Sequence, residues 1–420
     1  MNTRAQDIAN TPQAAAQTAP LRFVTAASLF DGHDAAINVM RRLIQGAGTE
    51  VVHLGHNRSV SDVVRAAVQE DVDAIAISSY QGGHNEYFKY MIDLLHAAGA
   101  GHIRVFGGGG GTITPEEIAD LQAYGVERIY HPNDGMKMGL QGMIDDLIAR
   151  VTRQRRWSAV PASIDPDNAL SVAQMLSALE DDILTPAQLE KLRREWKIAG
   201  GKVPVIGITG TGGAGKSSVT DEILSRFMQY FPQLRVAVLA VDPTRRRTGG
   251  ALLGDRIRMN SLRHERLFMR SMATRRQHLS TSAMLGDAVA FLKSLSYDLV
   301  MVETAGIGQS DSEIVDLVDL PVYVMTSEYG AASQLEKIDM LDFAAITVLN
   351  KFDKRGAEDA LRDIRKQWKR NHLAFMTPDE EIPVFPTIAS QFNDPGLTWM
   401  FTNLCQLLAT KTGAELAKWT

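Results

Sequence analysis

The sequence contains a single cysteine, Cys405, among 420 residues, so no disulfide framework holds it together and a reducing, cytoplasmic setting is expected. Cys405 falls in the apolar pattern Leu404–Leu408 of a predicted helix, which is a packing position rather than a reactive one. No apolar run is long enough to span a bilayer. Neither sign of charge dominates. The 44 Lys and Arg against 49 Asp and Glu leave a net −5, which gives no electrostatic reason to expect nucleic acid or a membrane surface as partner. The first twenty residues, rich in Ala, Thr and Gln, lack an apolar targeting core and read as a disordered tail. With 45% hydrophobic residues the chain can bury sizeable cores, and its length allows two or three domains at about 150 residues each.

What the sequence does have is glycine in two dense runs. The first to consider lies in VPVIGITGTGGAGKSSVT, Val203–Thr220. An apolar strand (Val203–Thr209) leads into a glycine turn and then into a helix beginning near Lys216. Gly210, Gly215, Lys216 and Ser217 satisfy Gly-x4-Gly-Lys-Ser, with further glycines at Gly212 and Gly213. Backbone N–H groups must wrap phosphates here without an intervening Cβ, which is why Gly210 and residues 212–218, including Ala214 and Ser218, are candidate nucleotide ligands. Lys216 supplies charge to the outer phosphates, the Ser217 hydroxyl suits Mg²⁺, and the helix N-terminus adds partial positive charge.

The second run, Gly107–Gly111, sits in a segment where strand and helix signals alternate from about Leu21 to Thr152. Strands are expected at 21–28, 50–54, 74–78, 102–107 and 128–130, with helices between them and a last helix from about Met136. Five such units predict a flavodoxin-like parallel sheet of order 2-1-3-4-5, with ligands outside the carboxyl ends of strands one and three. Asp31, Gly32 and His33 follow strand one, Ser78 and Ser79 end strand three, and the five glycines follow strand four. Five glycines exceed the needs of a turn and would leave a large ligand room against bare backbone. His53, His56 and His84 read as loop or packing residues, with His84 a further candidate to face a ligand.

A connector follows, 153–200, with a helical pattern from Asp167 to Ala199 expected to pack on the next domain as an arm. The last domain, 201–420, should be a P-loop fold with a mostly parallel sheet. Its strands 236–241, 297–302 and 345–349 end at Asp242, at Glu303-Thr304 and at Asn350-Lys351-Phe352-Asp353. Strand-end acids beside a P-loop hold Mg²⁺ directly or through water, although such acids also cap helices. Asn-Lys-x-Asp reads guanine: the Asp353 carboxylate accepts from N1–H and the exocyclic amine, whereas adenine presents an acceptor at N1. Asn350 would brace that loop and the Lys351 stem would cover the base, so GTP is favoured over ATP.

Asp31-Gly32-His33, Ser78-Ser79-Tyr80 and Gly107–Gly111 together resemble the cobalamin-binding domain of acyl-CoA mutases and methionine synthases. The resemblance implies His33 as the cobalt ligand replacing the dimethylbenzimidazole, with Asp31 holding the other ring nitrogen. It implies Ser78 against the displaced base and Gly107, Gly108, Gly109 and Gly110 along the nucleotide tail. Ala36 and Tyr80 stand where that family has Gly and Leu. In the last domain Asp242-Pro243-Thr244, Leu253-Gly254-Asp255-Arg256-Ile257-Arg258 and Glu303-Thr304-x-Gly306-x-Gly308-Gln309-Ser310 resemble the G-protein chaperones of methylmalonyl-CoA mutase. That likeness implies Asp255 as a switch-loop Mg²⁺ ligand, Arg258 near the nucleotide, Thr304 near the metal, and Lys216 and Gln309 as catalytic, Gln309 placing the water. Arg245–Arg247 are either solvated or touch phosphate or a partner.

The two domains in this order resemble the N-terminal part of the fused isobutyryl-CoA mutases. The likeness implies adenosylcobalamin and Mg²⁺ as cofactors, GTP hydrolysed to GDP, and a radical interconversion of isobutyryl-CoA and n-butyryl-CoA gated by the G domain. An acyl-CoA mutase barrel of about 250 residues or more does not fit within 420 residues alongside these domains, so it is expected on a separate or further stretch of chain. We also expect a homodimer. Two rivals stand beside this reading: a free-standing GTP-dependent cobalamin metallochaperone, and a non-enzymatic corrinoid sensor.

Overall fold

The computed structural model describes residues 19–412, apart from 33, 246, 276–277, 305–310, 330–334 and 337. The chain falls into two compact units, one of Met1–Leu192, Asp242–Ile257 and Arg270–Arg275, the other of Arg193–Val241, Arg258–Met269 and Arg276–Thr420.

In the first unit β1 (Arg22–Ser28), β2 (Glu50–Arg58), β3 (Ala74–Ser78), β4 (Arg104–Gly108) and β5 (Arg128–Tyr130) alternate with α1 (Asp34–Gly46), α2 (Val60–Gln69), α3 (His84–Ala97), α4 (Pro115–Tyr124) and α5 (Pro132–Arg153). The order β5-β4-β3-β1-β2, every pair parallel, is the one predicted. All seven residues of β1 are buried because helices cover both faces of the sheet. On one face Val63, Val64, Phe88 and Met91 pack against Val24, Ala26 and Ile75; on the other Ile44, Ile144 and Leu147 pack against Phe23 and Phe106. Local signals set the helix starts. Ser59 accepts from Asp62 N, and Thr114 with Glu117 forms a reciprocal cap before Pro115. β4 begins two residues later than expected, and α5 begins at Pro132 rather than Met136, because a His131 cap starts it early; a non-helical Gly139 then kinks it. Of the tail, residues 1–18 lie outside the described residues, while the Ala19 and Pro20 carbonyls accept from Arg155.

The arm is two helices, α6 (Ala169–Glu180) and α7 (Pro186–Ala199), interrupted where Asp182 turns left-handed. α6 packs on α2, with Leu170 in the same cluster as Val63, so the arm's first helix completes the first unit instead of covering the next domain.

The second sheet contains β6 (Val205–Gly210), β7 (Val236–Asp242), β9 (Leu267–Ala273), β10 (Leu299–Thr304), β11 (Leu320–Met325), β12 (Ile346–Leu349) and β13 (Val384–Pro386) in the order β13-β12-β11-β6-β10-β7-β9; β8 (Ala251–Leu253) belongs to the first sheet. The helices are α8 (Lys216–Tyr230), α9 (His278–Lys293), α10 (Met340–Phe343), α11 (Ala357–Asn371) and α12 (Pro395–Thr412). β6 is central, between β11 and β10, so the loop after it opens at the middle of the sheet. Cys405 packs in the core of α8 and α12, and burial pushes its thiol up to about 12, as expected of a packing residue. No helix among the described residues is long and apolar enough to cross a membrane.

Within the first unit, Asp242–Ile257 adds a sixth strand. β8 runs parallel to β2 through Glu50↔Ala251, Val51↔Leu252 and Val52↔Leu253. Gly250 permits the approach, since a Cβ there would stand 2.2 Å from the Gln45 carbonyl oxygen. Buried ion pairs anchor this segment and Arg270–Arg275. Arg256 donates to Gln69 Oε1 at 2.8 Å and Glu70 Oε1 at 2.6 Å, and Glu70 also accepts from the amide and hydroxyl of Ser271. Burial alone would raise the Glu50 carboxyl, but the guanidiniums of Arg275 and Arg22 outweigh it and hold the group well below the usual carboxylate range.

Candidate functional site

Two candidate sites lie at carboxyl ends of parallel strands, one in each unit. In the first unit a cavity of about 460 Å³ opens beside β3 and β4. Its walls are apolar: Ile37 and Met40 of α1, Phe106 of β4, and Met143 and Leu147 of α5. Ser78 lies at its lining, and the Ser78 hydroxyl is buried without a protein partner. Val39 of α1 and Leu140 of α5, both lining it, keep 48% and 52% of their surface exposed, so the apolar faces of both helices stay partly uncovered there. Such a cavity suits a flat apolar ring carrying one polar atom for Ser78.

The predicted residues divide here. Ser78 and Gly107–Gly110 line the cavity. Ser79 does not; fully buried, it accepts from the Ser28 hydroxyl at 3.0 Å and its amide donates to Gly108 O. Asp31 Oδ2 accepts from the Tyr80 amide at 2.7 Å, tying the loop after β1 to the loop after β3. Gly32 is exposed with open space at its Cβ position, and His33 lies outside the described residues. Not every glycine of the run is there to leave room for a ligand. At Gly107 a Cβ would meet Phe88 Cζ at 2.4 Å, and at Gly109 it would meet Ser79 O at 1.9 Å, so protein atoms already fill those places. His84 begins α3, with Nδ1 3.1 Å from Gln81 O and Nε2 3.3 Å from the Glu117 carboxylate; it packs rather than lining the cavity. Met143, Leu147 and Tyr130 were not singled out from the sequence, because their 3-and-4 or alternating spacing is also that of core.

In the second unit the turn from β6 to α8 is shaped by positive φ at Gly210 (143°), Gly213 (75°) and Gly215 (92°). Gly212 is exposed, Ala214 is buried, and the amide of Ser218 donates to Gly215 O. Lys216 Nζ donates to the carbonyls of Gly210 at 3.1 Å and Thr211 at 3.2 Å, curling back over the turn. The Asn350 amide joins three segments. Its nitrogen donates to Ala214 O at 2.8 Å, and its oxygen accepts from Thr387 Oγ1 at 3.2 Å and Ala389 N at 3.0 Å. Lys351, left-handed at φ 58°, donates to Gly213 O at 2.8 Å, while the Asp353 carboxylate is exposed beside Lys354. The loop following β12 is thus fastened to the phosphate-type turn and to the segment after β13.

Beside that turn Ser217 and Thr220 both donate at 2.8 Å to the Glu303 carboxylate, one to each oxygen. Thr304 ends β10 and donates to Thr209 Oγ1 at 3.0 Å. Ser217 and Thr220, three apart, share one face of α8, a spacing from which Thr220 could have been read. Asp242 and Asp255 group with the first unit, where Asp242 Oδ2 accepts from Gly254 N at 3.3 Å; Arg258 groups with the second and is exposed. Gln309 lies outside the described residues.

Comparison with known proteins follows this division. Residues 173–402 match the model of the methylmalonyl-CoA mutase-associated GTPase MeaB, and residues 21–136 that of the B12-binding domain. The chain is 56% identical over 395 residues to a protein of Cupriavidus metallidurans named fused isobutyryl-CoA mutase, which covers 93% of this chain and 36% of that relative. It is 50% identical over 406 residues to the Geobacillus kaustophilus protein of the same name, covering 94% and 37%, and 53% identical over 397 residues to that of Nocardia farcinica, covering 93% and 36%. The chain therefore spans little more than a third of the length of these relatives. By its glycine turn, its Asn-Lys-x-Asp loop and these matches, the chain belongs to the methylmalonyl-CoA mutase-associated GTPases of the MeaB family, with a B12-binding domain ahead of the GTPase region.

Proposed function

We propose that this chain binds adenosylcobalamin in its first unit and hydrolyses GTP in its second. In this reading it serves as the cofactor and nucleotide part of an acyl-CoA mutase that interconverts isobutyryl-CoA and n-butyryl-CoA. The observation that carries the cobalamin half is the buried, partnerless Ser78 hydroxyl in an apolar cavity bordered by glycine. A base-off cobalamin carries a flat benzimidazole with one free ring nitrogen, and that set of residues fits it. Ser78 would donate to this nitrogen, Gly107–Gly110 would lie along the nucleotide tail, and His33 would be the cobalt ligand, with Asp31 at its other ring nitrogen. Adenosylcobalamin, when bound, supplies the organic radical of the rearrangement. This chain's part is to hold the cofactor and keep water from the displaced base.

For the nucleotide, Lys216 would leave the carbonyls it now touches for the outer phosphates. Asp353 would accept from guanine, and Asn350 keeps the base loop in register with the phosphate turn. The oxygen-only group of Ser217, Thr220 and Glu303 suits a hard cation, so we assign Mg²⁺ to Ser217 and Glu303, with Thr304 as a further ligand directly or through water. Gln309 is the candidate to place the attacking water. We further propose that nucleotide state alters cobalamin affinity, that the chain works with an acyl-CoA mutase barrel, and that it forms a homodimer in the cytoplasm.

The test is double. Lys216→Ala should abolish GTP turnover while leaving ATP turnover as negligible as before. Adenosylcobalamin should bind with the base-off, histidine-on visible spectrum, and His33→Ala should remove it. A variant retaining either property would overturn that half of the reading.

A further inference from the structure

The loop that carries Asp31 is held by a residue to which the sequence gives no role. Phe30 and Asn57 are both non-glycine residues in the left-handed region, at φ 63° and 55°. They are bonded to each other: the Phe30 amide donates to Asn57 Oδ1 at 2.9 Å. A phenylalanine in that region is strained and persists only where its surroundings fix it. The Phe30 ring, 83% exposed, does not do so through packing. The backbone is fixed instead, by Asn57 on one side and by the Asp31 amide donating to Ser28 O at 3.1 Å on the other. Asparagine is suited to the task, since it tolerates the left-handed region and carries a short acceptor.

The same end of β2 supports a second segment. Arg58, next to Asn57, donates to Ile257 O at 3.3 Å and to Leu54 O at 2.5 Å, and its own carbonyl accepts from Tyr87 Oη at 2.9 Å. Gly55 lies directly under Ile257, where a Cβ would come within 2.6 Å of the Ile257 Cδ1. Ile257 is two residues beyond Asp255. Residues 55–58 therefore carry the loop of Asp31 on one side and the segment of Asp255 on the other, all within the first unit.

We propose that Asn57 is a positioning residue for the cobalamin-binding loop. By accepting from the Phe30 amide it fixes the direction in which the chain leaves β1, and so the position of Asp31 at the start of the cofactor loop. This rests on the cobalamin reading above. Asn57→Gly keeps the left-handed backbone and removes only the acceptor; Asn57→Asp restores an acceptor. Titrating the full chain with adenosylcobalamin and following the visible spectrum should show binding weakened about fivefold in Asn57→Gly, with a smaller histidine-on fraction, a loss that matches one exposed hydrogen bond. Asn57→Asp should regain most of both. If Asn57→Gly binds with wild-type affinity and spectrum, the positioning role is wrong although the cobalamin reading stands. A wild-type chain that takes up no cobalamin overturns both. Should Asn57→Gly melt early, the Asn57→Asp spectrum decides alone: failure to keep the histidine-on fraction counts against the proposal.

Discussion

The two glycine runs use the same residue for opposite reasons. In 210–215 glycine supplies conformation, because three of the residues stand at positive φ and the turn could not close otherwise. In 107–111 it mainly supplies space. Only Gly110 is left-handed, while Gly107 and Gly109 are bare because Phe88 and the Ser79 carbonyl occupy the position of a Cβ. A glycine-rich stretch thus does not announce a ligand by itself; the backbone angle and the nearest atom decide what each glycine is for.

Substitutions can break this contrast. The largest effect is expected at Gly210→Ala, which meets both penalties at once: φ 143° and a Cβ 1.9 Å from Val324 O. Fluorescent GTP binding should be lost, with the second unit destabilised by about 3 kcal/mol or more in chemical denaturation. Next is Gly109→Ala. There the obstacle is backbone, so the first unit should lose about 3 kcal/mol and cobalamin binding with it, while GTP turnover persists. Gly55→Ala should cost about 2 kcal/mol, because it places a Cβ at φ 84° and displaces the flexible Ile257 side chain, read by thermal unfolding. Gly111→Ala, with nothing within 4 Å, should stay within about 0.5 kcal/mol. An equal loss at Gly111 and Gly109 would erase the distinction between crowding and ligand room.

Acid provides a different separation. The Glu50 carboxyl lies below its ordinary value in the folded chain, so its contribution is present above about pH 4.5 and is lost as pH falls toward its folded value. Glu50→Gln should flatten that part of an acid denaturation curve of the first unit, at the cost of leaving Arg275 and Arg22 less well paired at neutral pH.

Much of this was legible in the sequence. The β1–β5 order followed from alternating strand and helix periods, and the nucleotide turn from Gly-x4-Gly-Lys-Ser, since both depend on local chemistry. β8, β9 and β11 were not read. β8 has three residues, Ala251–Leu253, and becomes a strand only because Gly250 admits it beside β2. The partnership of Arg256 with Glu70 spans 186 residues, and no periodicity records such a pairing. Asn57 was invisible for the same reason: its role depends on Phe30 across a strand pair. Of the arm, α7 meets the expectation, with Trp196 against Phe291 and Arg193 on Asp287 in the second unit, whereas α6 does not, because an apolar helix face says that it is covered, not by what.

The most direct measurement is equilibrium titration of the full chain with adenosylcobalamin, followed by visible spectroscopy, with Mg²⁺ and either a slowly hydrolysed GTP analogue or GDP present. Base-off, histidine-on binding is expected, with a midpoint that differs between the two nucleotides. Superimposable curves, or no uptake under either condition, would contradict it.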